Sequence, residues 1–113
     1  MPLIEKAYAK IHNCYEALIS GFIDDALSDL TGFVAEKIRL HDANGIFPNK
    51  AVVKMGGKDA FWDYLSDRCT EGCLMGCSAT GETEKEVVID GEHTGILSNH
   101  AYGIVDVIPM KIP

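Results

Sequence analysis

No apolar run in the 113 residues approaches the roughly 20 needed to cross a bilayer as a helix. Met1-Pro2-Leu3-Ile4-Glu5 has neither the basic start nor the long apolar core of a secretory signal. These two absences lead us to expect an intracellular, cytoplasmic protein with no membrane span. Basic charge is also scarce. Ten Lys and Arg stand against seventeen Asp and Glu, a net charge of -7, and no basic stripe exists to neutralise phosphates. Nucleic acid and anionic membrane are therefore not expected as partners. Internal repeats and low-complexity tracts are missing too.

Paired metal-ligand spacings are absent as well. Cys69, Cys73 and Cys77 recur every four residues and invite a metal knot with His93 or His100, but the two-residue gap of common structural zinc sites is missing. With Cys14 they make four cysteines in a chain whose apolar content, 47%, supports a core without a disulfide framework, so free, buried thiols are expected. Asp24, Asp25, Asp29 and the acidic stretch from Glu82 to Glu92 form no Asp-x-Asp-x-Asp-Gly series, so no calcium or other metal is expected on these residues. Gly56-Gly57-Lys58 lacks the first glycine and the trailing hydroxyl of a phosphate-cradling loop and reads as a helix-start linker.

The residues that are present give an α+β pattern. Pro2 suits a first helical turn, and Leu3, Ile4, Ala7, Tyr8 and Ile11 fall on one stripe, which predicts a helix over residues 2–12 with one buried face. Residues 13–32 hold no sustained period and read as loop with a helical turn near Asp25 to Leu30. Asp42-Ala43-Asn44-Gly45 is a break. Residues 51–53 are ambiguous between strand and helix. Ala60, Phe61, Trp62, Tyr64, Leu65 and Cys69 mark an amphipathic helix that starts after Gly56-Gly57 and stops at Gly72, with Phe61 and Trp62 in the core. Strands are predicted at 73–79, 86–89 and 100–108, joined by turns at 81–85 and 90–92. His12, His41 and His93 read as surface or turn residues. Nothing in the length requires two independent domains.

Two local strings near the ends carry more information than the pattern. Glu5-Lys6-Ala7-Tyr8-Ala9-Lys10, continued by Tyr15-Glu16-Ala17-Leu18, Gly21, Asp29-Leu30-Thr31-Gly32 and Val34-Ala35-Glu36, resembles the protease core of the calpain family. Leu74-Met75-Gly76-Cys77-Ser78 and Asn99-His100-Ala101-Tyr102 follow in the family's order. The resemblance implies part of a papain-like cysteine protease core: residues 1–21 would end the nucleophile-side half and its hinge at Gly21, and residues 22–113 would belong to the histidine-side half. It also implies a strand over 33–40. Asn99 stands where the family usually has glycine, and Gly103 where serine is usual.

By the same resemblance His100 is the general base and acid of a Cys-His-Asn endopeptidase, because an imidazole near neutrality can take a thiol proton and return it to the leaving amine. Protein or peptide substrates are implied for the complete enzyme, with calcium expected for a full-length parent. The family's Gly-Asp-Cys-Trp and Asn-Pro-Trp-Gly strings do not occur in these residues, so the isolated chain is expected to be inactive. Cys14 follows the first predicted helix, in a position that the family fills with a small residue, and is not expected to be the nucleophile. The alternative is a non-catalytic calpain-like piece that works through a protein assembly partner.

Overall fold

In the computed structural model, which describes residues 2–111, helices and antiparallel strands are both present, so the α+β expectation holds. The chain divides into two compact units, Met1–Glu36 and Lys37–Pro113. No helix among the described residues is long and apolar enough to cross a membrane.

The first unit holds α1 (Pro2–Ile11), a 3-10 turn (Tyr15–Leu18) and α2 (Ile23–Thr31). Helix α1 forms where the stripe predicts it, but its face is not buried. Only Ala9 is buried, while Leu3 and Ile11 are 80% and 79% exposed. Helix α2 corrects the expected loop with a single helical turn. Asp24 and Asp25 lie in its first turn, where the helix dipole favours acidic groups, and Gly32 ends it in the left-handed conformation at φ 74°. The Tyr8 hydroxyl donates to Asp29 Oδ2 at 2.8 Å, and His12 Nε2 lies 3.4 Å from the same oxygen. These two contacts tie the end of α1 to α2.

The second unit holds α3 (Lys50–Lys54), α4 (Lys58–Thr70) and four strands, β1 (Met75–Ala79), β2 (Glu86–Ile89), β3 (Glu92–Leu97) and β4 (His100–Ile104). Asn49 caps α3. Its side-chain oxygen accepts from the Ala51 N–H at 3.1 Å, and its amide donates to the His41 carbonyl at 2.8 Å. Residues 51–53 are thus helical, and Val52 is fully buried. Helix α4 spans the expected range, but none of its residues is buried, and Trp62 is 41% exposed rather than core. The strand implied over 33–40 is absent. Among the described residues no strand pairs with that segment, and Val34 is 99% exposed.

The strands form two separate antiparallel pairs, β1 with β4 and β2 with β3. In the first pair Cys77 faces Tyr102 and Ala79 faces His100. The β2–β3 hairpin sits in sequence between β1 and β4. Its turn is Asp90-Gly91, with φ of 50° and 81°, the two left-handed residues that a tight hairpin needs. Strand β3 was missed by the sequence reading, which took the Asp-Gly turn without the strand that it launches. The hairpin's register is irregular between Glu86 and Val88. There the Glu86 carboxylate accepts from the Gly95 N–H at 3.0 Å, and the Thr94 hydroxyl donates to the Val87 carbonyl at 2.6 Å, so side chains supply partners where the ladder breaks.

Candidate active site

His100 opens β4, immediately after Asn99, whose φ of 50° turns the chain out of β3. Asparagine is one of the few residues that tolerates this left-handed conformation, which accounts for its standing in a position the family usually gives to glycine. The Asn99 N–H donates to the Ala79 carbonyl at 2.8 Å, which fixes the start of β4 against the end of β1. Alternation along the strand puts His100 and Tyr102 on one face. Their rings meet edge to face, with centroids 5.0 Å apart.

Tyr102 is itself held. Its hydroxyl accepts from the Leu97 N–H at 2.9 Å, across the β3–β4 turn. Tyr102, Cys77, Ser78, Ala79 and Ile96 line an open, mostly apolar groove of about 330 Å³ beside this face. The His100 side chain keeps 44% of its surface exposed. An imidazole so placed has a fixed backbone and one packed flank, and it stays open to a second group that could exchange a proton with it.

The segment between β1 and β2 also reaches this site. The Ser98 hydroxyl lies 2.9 Å from the Thr83 carbonyl and 3.1 Å from the Lys85 carbonyl, and it accepts from the Lys85 N–H at 3.4 Å. The Ser98 N–H donates to the Lys85 carbonyl at 2.7 Å. A Cβ at Gly81 would stand 2.8 Å from Ser98 Cβ and Oγ, closer than real contacts allow. Held in this way, the segment brings Glu84 Oε1 to 3.7 Å from His100 Nδ1. Sequence reasoning missed Glu84, which has no motif to mark it and was read only as part of an acidic turn.

Of the other singled-out residues, Cys14 is exposed at the start of the 3-10 turn in the first unit. All four cysteines are free, but the expectation that they are buried is corrected. Cys14, Cys73 and Cys77 are exposed, and Cys69 is half-buried with its thiol donating to Asp106 Oδ1 at 3.4 Å. They occupy a loop, a helix end, a connection and a strand, which gives no shared apolar interior for the thiols to enter. Among the described residues no three His, Cys, Asp or Glu side chains come together as a metal site. His93 is an exposed residue of β3, in keeping with the surface reading, with Nδ1 2.7 Å from Glu86 Oε2. His41 packs its ring 5.7 Å from that of Phe47.

A family model described as calpain family cysteine protease matches residues 1–112. The chain belongs to the calpain family. It is 35% identical over 105 residues to a calpain-type cysteine protease of Arabidopsis thaliana, covering 93% of this chain and 4% of that protein. It is 34% identical over 110 residues to Calpain-B of Drosophila melanogaster, covering 97% of this chain and 10% of the relative. With Calpain-5 of Caenorhabditis elegans the identity is 29% over 110 residues, 97% of this chain and 16% of the relative. The chain therefore spans a small part of these relatives' length. No solved structure matches it.

Proposed function

We propose that this chain is the histidine-bearing portion of a calpain-type cysteine endopeptidase, with His100 as its general base and acid. Residues 1–21 are then the end of the nucleophile-side half, and residues 22–113 belong to the histidine-side half. The observation that carries the reading is the placement of His100. Within a His-Ala-Tyr string, in a chain that belongs to the calpain family, the imidazole stands half exposed at the first residue of a paired strand, steadied by Tyr102.

In the complete enzyme His100 takes the proton of a cysteine thiol supplied from outside these residues, and the thiolate attacks the carbonyl carbon of the scissile peptide bond. The proton passes to the departing amine, and water then releases the acyl group from sulfur. An asparagine, also from outside these residues, orients the ring. Calcium dependence of the parent and an intracellular location belong to the same proposal. In this reading calcium is held by other parts of the complete enzyme.

The test is the intact mass of the native protein, read with labelling by a peptide-epoxide thiol-protease probe in the presence and absence of calcium. A mass far above 12.3 kDa with calcium-dependent labelling is expected. Substituting His100→Ala in that protein is expected to lower peptide hydrolysis by about 10⁴- to 10⁶-fold while leaving its circular dichroism unchanged. A native mass of 113 residues without labelling would favour instead a non-catalytic assembly piece. The exposed apolar face of α1, with Leu3 at 80% and Ile11 at 79%, is the observation on that side.

A further inference from the structure

We propose that residues 37–58 form a basic face that docks the protein on an anionic lipid surface. The net charge of the chain, which leads away from such a partner, averages two unlike regions. Five of the ten cations, Lys37, Arg39, Lys50, Lys54 and Lys58, fall in this stretch beside one carboxylate, Asp42, while everywhere else sixteen carboxylates face the other five cations.

The fold of the second unit gathers these side chains. Asn49 donates from its backbone N–H to the Leu40 carbonyl and from its side chain to the His41 carbonyl, both at 2.8 Å, which lays the stretch after Arg39 against the cap of α3. Lys50 and Lys54, about one turn apart, share a side of that short helix. The Gly57 N–H donates to the Val52 carbonyl at 3.0 Å and brings in the start of α4, whose Lys58 ammonium stands 5.2 Å from the centre of the Phe47 ring. The charge of Asp42 is engaged by its own loop, since Oδ1 accepts from the N–H groups of Asn44 and Ile46 at 2.8 and 2.9 Å. Arg39, Lys50, Lys54 and Lys58 are exposed and make no ion pair among the described residues.

The make-up of the face fits lipid better than an acidic polypeptide. Four of its five cations are lysines. Compact charges on flexible stems suit a diffuse layer of headgroups, whereas paired recognition of a carboxylate favours the planar fork of arginine. Apolar side chains stand among the cations: Ile46, 60% exposed in the loop that Asp42 closes, and Val53, exposed between Lys50 and Lys54. Cations interleaved with exposed aliphatic groups are what peripheral docking uses, the charges drawn to the headgroups and the apolar atoms entering the boundary beneath them. The same lipid surface repels the acidic remainder of the chain, which turns the basic face towards it. The inference does not depend on the role of His100.

The experiment is co-sedimentation of the full-length protein with vesicles of phosphatidylcholine and phosphatidylserine, without calcium, which would itself bridge carboxylates to phosphates. Binding is expected to exceed that to phosphatidylcholine alone and to weaken as salt is raised. Lys50→Gln combined with Lys54→Gln should lower the partition about 25-fold, about fivefold for each charge, while Lys50→Arg combined with Lys54→Arg should retain it. Ile46→Ser should lower it about tenfold without altering the salt dependence. Circular dichroism should be the same for all of these variants, which reports that they fold. Equal partition of the wild type and the Lys→Gln pair would overturn the proposal. Loss of binding to immobilised polyglutamate in the Lys→Gln pair, with vesicle partition unchanged, would overturn it as well and give the face to an acidic polypeptide.

Discussion

Tyr8 shows how much a single side chain can report on its unit. Its hydroxyl donates to Asp29, and its pKa is raised above the ordinary 10.0, first by that hydrogen bond, then by desolvation and by the charges of Asp29 and Asp25. The folded state keeps the phenolic proton to higher pH than the unfolded chain. The bond's contribution to stability is therefore fully present below about pH 10 and is lost as pH rises through the folded-state value. Asp29→Asn should move the Tyr8 titration back towards 10.0 in tyrosine-ring NMR. An unmoved titration would mean that the contact between α1 and α2 does not form in solution. Tyr102 offers a second test in the other unit. Tyr102→Phe strips the acceptor from the Leu97 N–H, and thermal melting should register a loss of about 1–3 kcal/mol, the cost of an unpaired donor in a partly buried place.

At the scale of elements, the turn from β3 into β4 decides where His100 stands. Asn99→Gly should leave stability nearly unchanged, since glycine enters the left-handed region freely. Asn99→Val should cost about 1–2 kcal/mol, measured by chemical denaturation, because a β-branched side chain crowds the backbone there. Equal stabilities for the two variants would show that the turn adopts another conformation. These elements also show which signals were readable in sequence. Pro2 and the apolar stripe announced α1, and Gly72 the end of α4, through local rules of capping and period. Strand β3 was equally announced by Asp90-Gly91, but its own residues, Glu92 to Leu97, lack the alternation that marks a strand because the register slips beside Gly95. The strand implied over 33–40 failed for a complementary reason: a strand needs a partner, and among the described residues none pairs with that segment.

For the molecule as a whole, the decisive property is how little it buries. Among the described residues only Ala9 and Val52 are buried, while Phe33, Val34 and Val105 are 79%, 99% and 95% exposed. Apolar area left in water forfeits about 25 cal/mol per Å², so these faces favour association with any surface that covers them. The 113 residues expressed alone should bind a hydrophobic dye strongly and elute above 12.3 kDa in light-scattering chromatography. A dye-silent monomer of the isolated chain would show that its faces close on one another.

Membership of the calpain family and the α+β class were legible in the order of residues alone, because short strings such as His100-Ala101-Tyr102 and the caps and turns act over a few positions. The candidate base was legible for the same reason. What stands beside it was not. Glu84 lies 16 positions before His100, and no periodicity of helix or strand links the two. Their meeting depends on how the chain between β1 and β4 is folded back, which Ser98, Gly81 and the Asp90-Gly91 hairpin decide together through hydrogen bonds and close packing that form only once the strands are paired. The tertiary structure likewise decided that the helical stripe from Leu3 to Ile11 lies open, since periodicity tells which side of a helix is apolar but not whether another surface is there to meet it.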